Sequence, residues 1–280
     1  MMADLLADIF TRYKKPSPAE LERAAVEIKK LQKIHPDIKG QGYYDRLQRA
    51  SSWLAKAKRT VADPEANFMF SWIALNALCG VRRDVRETDW WKNEKSFIPQ
   101  LDKRQIGDMD QGELEWFLWR GSCLDIERGM LRNVIEDHWR DVETVLMSQY
   151  VMSFYWNGSW STEEDLDKCK NVDMKIVKTA IGLSSDRGKI YQALRAIIIL
   201  RLRTLRNQLI HGCATDTHSK RRAAGESELE AGSRLLEEFV WAFLVLMAGQ
   251  QGQTTYWPPS PYPRAGSPQH GPLRISWLPK

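Results

Sequence analysis

The sequence predicts an all-α fold, organised as an up-and-down helical bundle. Apolar residues recur at three- and four-residue spacing through most of the chain, and glycine and proline are sparse until its last part. No alternating run of polar and apolar residues indicates a ladder of strands. With 43% hydrophobic residues among 280, the chain is long and apolar enough to bury one large core.

The first part of the chain, residues 1–62, is predicted to be an N-terminal helical extension. Ser17 and Glu20 flank Pro18 in the pattern of a capping box, with proline at the first helical position. This pattern predicts a helix start at that point. Helices are expected in this part over residues 5–14, 18–34 and 43–60.

The predicted bundle spans residues 63–250, and a proline-rich, extended tail over 251–280 follows it. The first bundle helix is apolar on nearly all sides, as expected of a central helix, and Gly80 is expected to close it as a C′ glycine. The charged segment 81–109 is expected to be mostly irregular. Helices are expected over residues 65–79, 111–120, 123–150, 173–181, 187–211 and 226–247.

Composition and charge exclude several classes of protein. The net charge of +5 is compatible with a phosphate-bearing partner, but it is smaller than in proteins that coat nucleic acids. The four cysteines form no CxxC pair, so a zinc site of the usual spacing is not expected. No cofactor is expected either. The lack of a glycine-rich phosphate loop and of HExxH disfavours kinases, NTPases and metallohydrolases. Short apolar runs and the lack of a basic signal region predict a cytoplasmic protein without membrane association.

Polar residues at the end of the 187–211 helix are the strongest candidates for chemistry. On a helix, Arg203, Asn207 and His211 fall at i, i+4 and i+8, which places them on one stripe. Arg206 lies about 140° around the helix from His211, at about 100° per residue. Because one helix cannot easily aim both groups at the same atom, we expect two copies of the chain to share the site.

Two other arginine–histidine pairs have similar spacing but poorer surroundings. Arg264 and His270 lie in the tail, where nothing would hold the two groups in register. Arg132 and His138 lie on a predicted helix, but Glu136 beside the histidine makes a poor anion site. The pair in the 187–211 helix ends an apolar helix and precedes a basic loop.

Residues 206–211, with the sequence RNQLIH, resemble the signature of the HEPN superfamily (higher eukaryotes and prokaryotes nucleotide-binding). That signature is an arginine, usually a polar residue next, and a histidine after a short gap. Residues 68–80 are similar to the first bundle helix of the ApeA-like branch, and the resemblance covers about residues 65–248. It implies a dimeric helical bundle with both motifs at the interface. It also implies metal-independent RNA cleavage in many members, often in toxin–antitoxin or antiphage systems.

The residues suit that chemistry. A histidine with an ordinary pKa of about 6.5 can exchange protons near neutrality, and an arginine offers fixed donors to a charged phosphorane. His211 is therefore expected to be the acid or base, Arg206 to stabilise the phosphate, and Asn207 to orient one of them. Contacts to the substrate are expected from Arg203, Lys220, Arg221, Arg222 and Asn76.

Structural interpretations stay open beside these functional ones. His211 would be favoured at a helix C-terminus by the helix dipole, and Asn76 would be a buried amide that ties helices together. The cations of residues 220–222 would only solvate a loop. The twelve tryptophans would fill the core, whereas base stacking requires an exposed ring beside a basic groove. A solvated helix face would account for Arg201, Arg203 and Arg206.

The sequence therefore predicts a metal-independent endoribonuclease that acts on RNA as a homodimer, a toxin or antiphage defence effector. Cys213 stands where a tyrosine often follows the histidine in toxins silenced by a nucleotidyltransferase partner, so that regulation is not expected. Another regulatory protein partner stays open. The alternatives are a catalytically inactive member that binds a nucleotide or a partner, and a helical scaffold with neither activity.

Overall fold

A computed structural model describes residues 8–10, 15–34, 43–80, 109–125, 129–148, 151, 163–182, 186–210 and 228–249. Within these ranges every extended regular element is a helix and no strand occurs, so the predicted all-α class is confirmed. The expected helix over 5–14 is described only at residues 8–10, which are helical. The expected tail, 251–280, lies outside the described residues.

Three helices at the start of the chain follow the predicted ranges closely. They are α1 (Pro18–Ile34), α2 (Tyr43–Arg59) and α3 (Pro64–Cys79). The capping box before α1 is confirmed, because the Ser17 N–H donates to Glu20 Oε2 at 2.7 Å and the Glu20 N–H donates to Ser17 Oγ at 3.3 Å. The Asp63 carboxylate caps α3 by accepting from the Ala66 N–H at 3.1 Å.

The C-terminal end of α3 differs from the expected left-handed glycine cap. Gly80 has φ −56° and ψ 137°, which is extended backbone that any residue adopts. Its N–H still donates to the Asn76 carbonyl at 2.9 Å. The helix therefore ends at the predicted residue, while the C′ geometry expected of Gly80 is wrong.

The middle of the chain departs furthest from expectation. Its helices are α4 (Met109–Leu124), α5 (Met130–Asp137), α6 (Trp139–Met147) and α7 (Glu163–Gly182). The expected 111–120 helix continues through Gly121, and the expected 123–150 helix is broken at His138, which has φ −110° and ψ 30°. The predicted helix over 173–181 begins ten residues earlier, at Glu163. Residues 167, 168, 171 and 172 are exposed there, and the buried position that follows them is an aspartate, Asp173, so the apolar pattern of this part is weak.

The last part of the chain is helical over 186–210 and 228–249, apart from the residues that flank the helices. It contains α8 (Arg187–Leu194), a π-helical segment (Arg195–Leu202), α9 (Arg203–Ile210) and α10 (Glu228–Ala248). The predicted 187–211 helix is therefore present over the described residues 187–210, but its middle is wider than an α-helix. The apolar residues that recur along it at helical spacing are buried, and Leu209 at its end is half-buried: Ile190, Leu194, Ile197, Ile198, Leu202 and Leu205.

The helices share one apolar core, in which α10 is the central element. Helices α2 and α3 are antiparallel, since Arg46 donates to the Leu78 carbonyl and Asn67 donates to the Ala57 carbonyl at 2.8 Å. Helix α10 runs parallel to α3, with the Ser233 hydroxyl donating to the Pro64 carbonyl at 3.1 Å. Both α5 and α6 also pack on α10.

Side chains of α1 and α2 belong to the same apolar core as those of α3 and α10. The domain boundary predicted at residue 62 stays a prediction. None of the tryptophans in the described residues is exposed, which agrees with the core-filling interpretation: Trp53, Trp72, Trp116, Trp119, Trp139 and Trp241. Among the helices of the described part, none combines the length and the apolar character needed to cross a bilayer.

Candidate functional site

Helix α9 carries three of the predicted site residues and has a clear inner face. Thr204, Leu205 and Gln208 are buried against the bundle, while Arg203, Arg206 and Asn207 are half-buried. Ile210, at the end of the helix, exposes 48% of its surface. The polar side chains therefore lie at the border between the core and the solvent.

The side chains of Arg206 and Asn207 contact each other directly. Arg206 Nη1 donates a hydrogen bond of 2.9 Å to Asn207 Oδ1. A guanidinium is planar, and a bond to a fixed acceptor restricts the orientation of its plane. Asn207 is thus in contact with one of the two groups that it was expected to orient.

The packing of Gly232 shows which part of the bundle α9 meets. A Cβ atom at Gly232 in α10 would lie 3.0 Å from Leu205 Cδ2 and 3.4 Å from Phe68 Cε2. Gly232 and Phe68 both lie in the second turn of their helices, α10 and α3. The start of α9 therefore packs near the N-terminal ends of α3 and α10.

The direction of α9 follows from contacts further up the bundle. Trp119 of α4 contacts Tyr191 of α8, with 5.6 Å between ring centroids, and Gly121 of α4 lies against Phe243 of α10. The chain thus runs from α8, near the C-terminal half of α10, to α9, near its beginning. Arg206 and Asn207 follow at the end of the bundle where α3 and α10 start.

Asn76 is not brought to this end of the molecule. It follows Phe68 by eight residues in α3, which is about 12 Å along the helix axis and away from α9. Asn76 is also exposed, so its interpretation as a buried amide is wrong. The buried amide that ties helices together is Asn67, which is 3% exposed. Its Nδ2 donates to the Ala57 carbonyl and to Glu237 on α10.

Several predicted residues lie outside the described part of the chain. They are His211, Lys220, Arg221 and Arg222. Their roles remain predictions.

A solvated face does not describe all three arginines of this helix. Arg201, in the π-helical segment, is fully buried and donates through Nη2 to Asp173 Oδ2 on α7. Burial raises the pKa of Asp173 and lowers the pKa of Arg201, and the charge of each partner opposes the shift of the other. The solvated-face interpretation is therefore wrong for Arg201.

A second charged pair lies at the start of the same segment. Arg195 Nε lies 3.1 Å from Glu115 Oε1 of α4, and Glu115 exposes only 3% of its surface. Sequence reasoning missed both pairs. The sequence signal for these pairs was the presence of two arginines in an apolar helix, and a solvated helix face would give the same signal. Their carboxylate partners are far away in the sequence, so the pairing could not be predicted from it.

In another arginine–histidine pair, Arg132 and His138 each lie beside a carboxylate. Arg132 Nε lies 3.4 Å from Glu136 Oε1, and His138 Nδ1 lies 3.2 Å from Asp141 Oδ2. Burial would raise the pKa of Asp141, but hydrogen bonds from Arg234 and His138 outweigh it and hold that pKa below its ordinary value. An anion would meet negative charge at this place, as the neighbouring acids in the sequence suggested.

In the described part of the chain, no group of three or more histidine, cysteine, aspartate or glutamate side chains could hold a metal ion. No family model, curated protein or solved structure matches the chain.

Proposed function

We propose that the chain is a metal-independent endoribonuclease whose centre is formed by Arg206, Asn207 and His211. The observation that carries the proposal is the hydrogen bond of 2.9 Å between Arg206 Nη1 and Asn207 Oδ1. It gives the arginine an oriented guanidinium on the helix that leads directly to His211. The resemblance of residues 206–211 to the HEPN signature points to the same three residues.

The proposed reaction is an internal transfer within RNA. The ribose 2′-oxygen forms a bond to phosphorus, and the bond from phosphorus to the 5′-oxygen breaks. A base takes the 2′-hydroxyl proton, and an acid gives a proton to the leaving oxygen, so the products are a 2′,3′-cyclic phosphate and a 5′-hydroxyl. His211 exchanges these protons, and Arg206 stabilises the charge on the phosphorane.

The position of α9 favours a site shared by two copies. Arg206 lies about 140° from His211 around a regular helix, so a second copy is needed to bring both groups to one phosphate. Ile210, which exposes 48% of its surface beside these residues, would be covered by that copy. Half-buried Arg203 precedes Asn207 by one helical turn and adds a phosphate contact. We place the enzyme in the cytoplasm as a toxin or antiphage effector.

The test compares variants of α9 with a matched arginine elsewhere. Arg206→Ala lowers cleavage of RNA by at least about 100-fold in excess EDTA, by analogy with removal of one oxyanion donor. Asn207→Ala lowers kcat by up to about 100-fold through misplacement of the guanidinium. Asn207→Asp keeps an acceptor for Arg206 and therefore retains most activity.

Arg132→Ala is the control, because Arg132 belongs to the competing pair that carboxylates occupy. It leaves cleavage unchanged. Equal cleavage by wild type and Arg206→Ala would contradict the proposed centre. Absence of cleavage by every purified form, with RNA bound, would favour the inactive nucleotide-binding alternative.

A further inference from the structure

The helix that leads to the proposed centre contains an unusual segment. Its eight residues, Arg195–Leu202, are π-helical, and the Arg203 N–H that follows donates to the Ile198 carbonyl five residues back. Most π-helical segments in proteins are single turns, and they occur frequently at functional sites. A π-helical turn contains about one residue more than an α-helical turn. The segment therefore changes the direction in which the side chains of the following helix, α9, point around the helix axis.

Apolar burial over residues 196–199 does not by itself select this rotation. Residues 196–199 are all buried, and three consecutive isoleucines are followed by Leu200. Whichever way such a run is turned, an apolar side chain faces the core. At the end of the segment Leu202, and just beyond it Leu205, lie against Gly232, and these are the apolar contacts that distinguish one rotation from another.

The charged residues of the segment distinguish one rotation of the helix from another. Arg195 pairs with Glu115 on α4, and Arg201 pairs with Asp173 on α7. The partners belong to two different helices, and as whole residues Glu115 is 3% and Asp173 8% exposed. A change in rotation would leave an arginine and a carboxylate unpaired inside the bundle, which is strongly unfavourable.

Stability alone does not explain a buried pair such as Arg201 and Asp173. Replacement of buried ion pairs by apolar residues of similar size is often neutral or stabilising, because both charges must be desolvated. The best-documented benefit of buried polar groups is that they specify a register at the expense of stability. The pairs at the two ends of the segment are placed to do this.

We propose that Arg201 with Asp173, and Arg195 with Glu115, are positioning residues that hold the 195–202 segment in its π-helical register. They thereby fix the direction in which α9 presents Arg206 and Asn207. The link to catalysis rests on the proposed function, whereas the control of register does not. Conversion of one π-helical turn to an α-helical turn would rotate α9 by the angle of about one residue, roughly 100°.

The test replaces a pair by apolar residues of similar size, in the full-length chain. Arg201→Met with Asp173→Leu is expected to keep the thermal unfolding midpoint near that of wild type or above it. A crystal structure is expected to show the Arg203 N–H bonded to Ile199 instead of Ile198. The kcat for RNA cleavage is expected to fall by at least about 100-fold with KM little changed, because Arg206 is misdirected.

The control is an arginine–aspartate pair outside the segment whose arginine is more exposed, with 41% of the Arg234 side chain accessible against 0% for Arg201. Arg234 Nη2 lies 2.7 Å from Asp141 Oδ1, between α10 and α6. Arg234→Met with Asp141→Leu is expected to leave the π-helical hydrogen bonds and the cleavage rate unchanged. If the Arg201 double variant does not fold, Arg195→Met with Glu115→Leu tests the same proposal from the other end.

The outcomes separate this inference from the proposed function. A double variant that keeps the bond from Arg203 to Ile198 would overturn the inference and assign the register to the apolar contacts of Leu202 and Leu205 with Gly232. A double variant that changes register but cleaves as fast as wild type would overturn the positioning role. If wild type itself does not cleave RNA, the proposed function fails, and the crystal structure still decides the register.

Discussion

Among the glycines of the described residues, Gly121 is the one where an added methyl group meets the closest atom. It lies in the last turn of α4, and a Cβ atom there would be 2.3 Å from Phe243 Cε1 and 3.0 Å from Cδ1. The Phe243 ring is fully buried and packs on Phe117 with 4.7 Å between centroids. The ring therefore cannot swing into solvent, and Gly121→Ala must displace packed side chains or helix α4 itself.

The magnitude follows from two opposing effects. Alanine is a better helix former than glycine by about 1 kcal/mol, which favours the variant. Overpacking a dense core typically costs about 1–3 kcal/mol, and a contact this short belongs near the upper end. Gly121→Ala is therefore expected to lower the free energy of unfolding by about 2 kcal/mol. Gly182 is the matched control, because no atom lies within 4 Å of its Cβ position, so Gly182→Ala should be neutral or slightly stabilising.

Urea unfolding of both variants measures the two free energies. Repeating Gly121→Ala in a Phe243→Leu background completes a double-mutant cycle, since leucine has no atom at the position of Cε1. In that background the alanine should stabilise the chain. If Gly121→Ala and Gly182→Ala prove equally stable, or if the cycle shows no coupling, the close approach of α4 to α10 is wrong.

Three further predictions concern charge and capping. Burial raises the pKa of Asp125 to about 6 from its ordinary 3.8, although N–H groups such as that of Leu131 oppose the shift. Between about pH 4 and pH 6 the folded chain therefore holds a proton that the unfolded chain releases. The free energy of unfolding is expected to fall by roughly 3 kcal/mol as the pH rises through this range. Urea titrations of Asp125→Asn should show a flatter dependence on pH. Asp63→Ala removes the cap of α3 and should cost about 1 kcal/mol in the same titrations, whereas Asp63→Asn should restore most of it. Arg59→Ala breaks an exposed ion pair with Glu22, so a thermal scan should show a loss below about 1 kcal/mol.

Much of the fold is predictable because its signals are local. A capping box at Ser17 and Glu20 and an aspartate before Pro64 mark two helix starts, and both are where the sequence indicates. The glycine at position 121 shows the limit of local signals. It suggests a helix end, but the helix continues, and the lack of a side chain is required by Phe243, which is far away in the sequence.

The candidate site shows the same limit. Arg206 and Asn207 are neighbours in the sequence, so their contact is within reach of local reasoning. The π-helical segment before them is not, since its charged partners Glu115 and Asp173 lie on other helices. A regular helical wheel places Arg201 on the side of Ile197 and Leu205 and Arg203 about 200° away, but it cannot show the carboxylate of Asp173 that pairs with the buried Arg201.

The most direct test of the proposed enzyme is cleavage of total cellular RNA by the purified chain in excess EDTA, with His211→Ala alongside. We predict that wild type alone cleaves and leaves 2′,3′-cyclic phosphate and 5′-hydroxyl ends. Cleavage by His211→Ala at the wild-type rate, or products with 3′-hydroxyl ends, would contradict a centre in which His211 exchanges the protons.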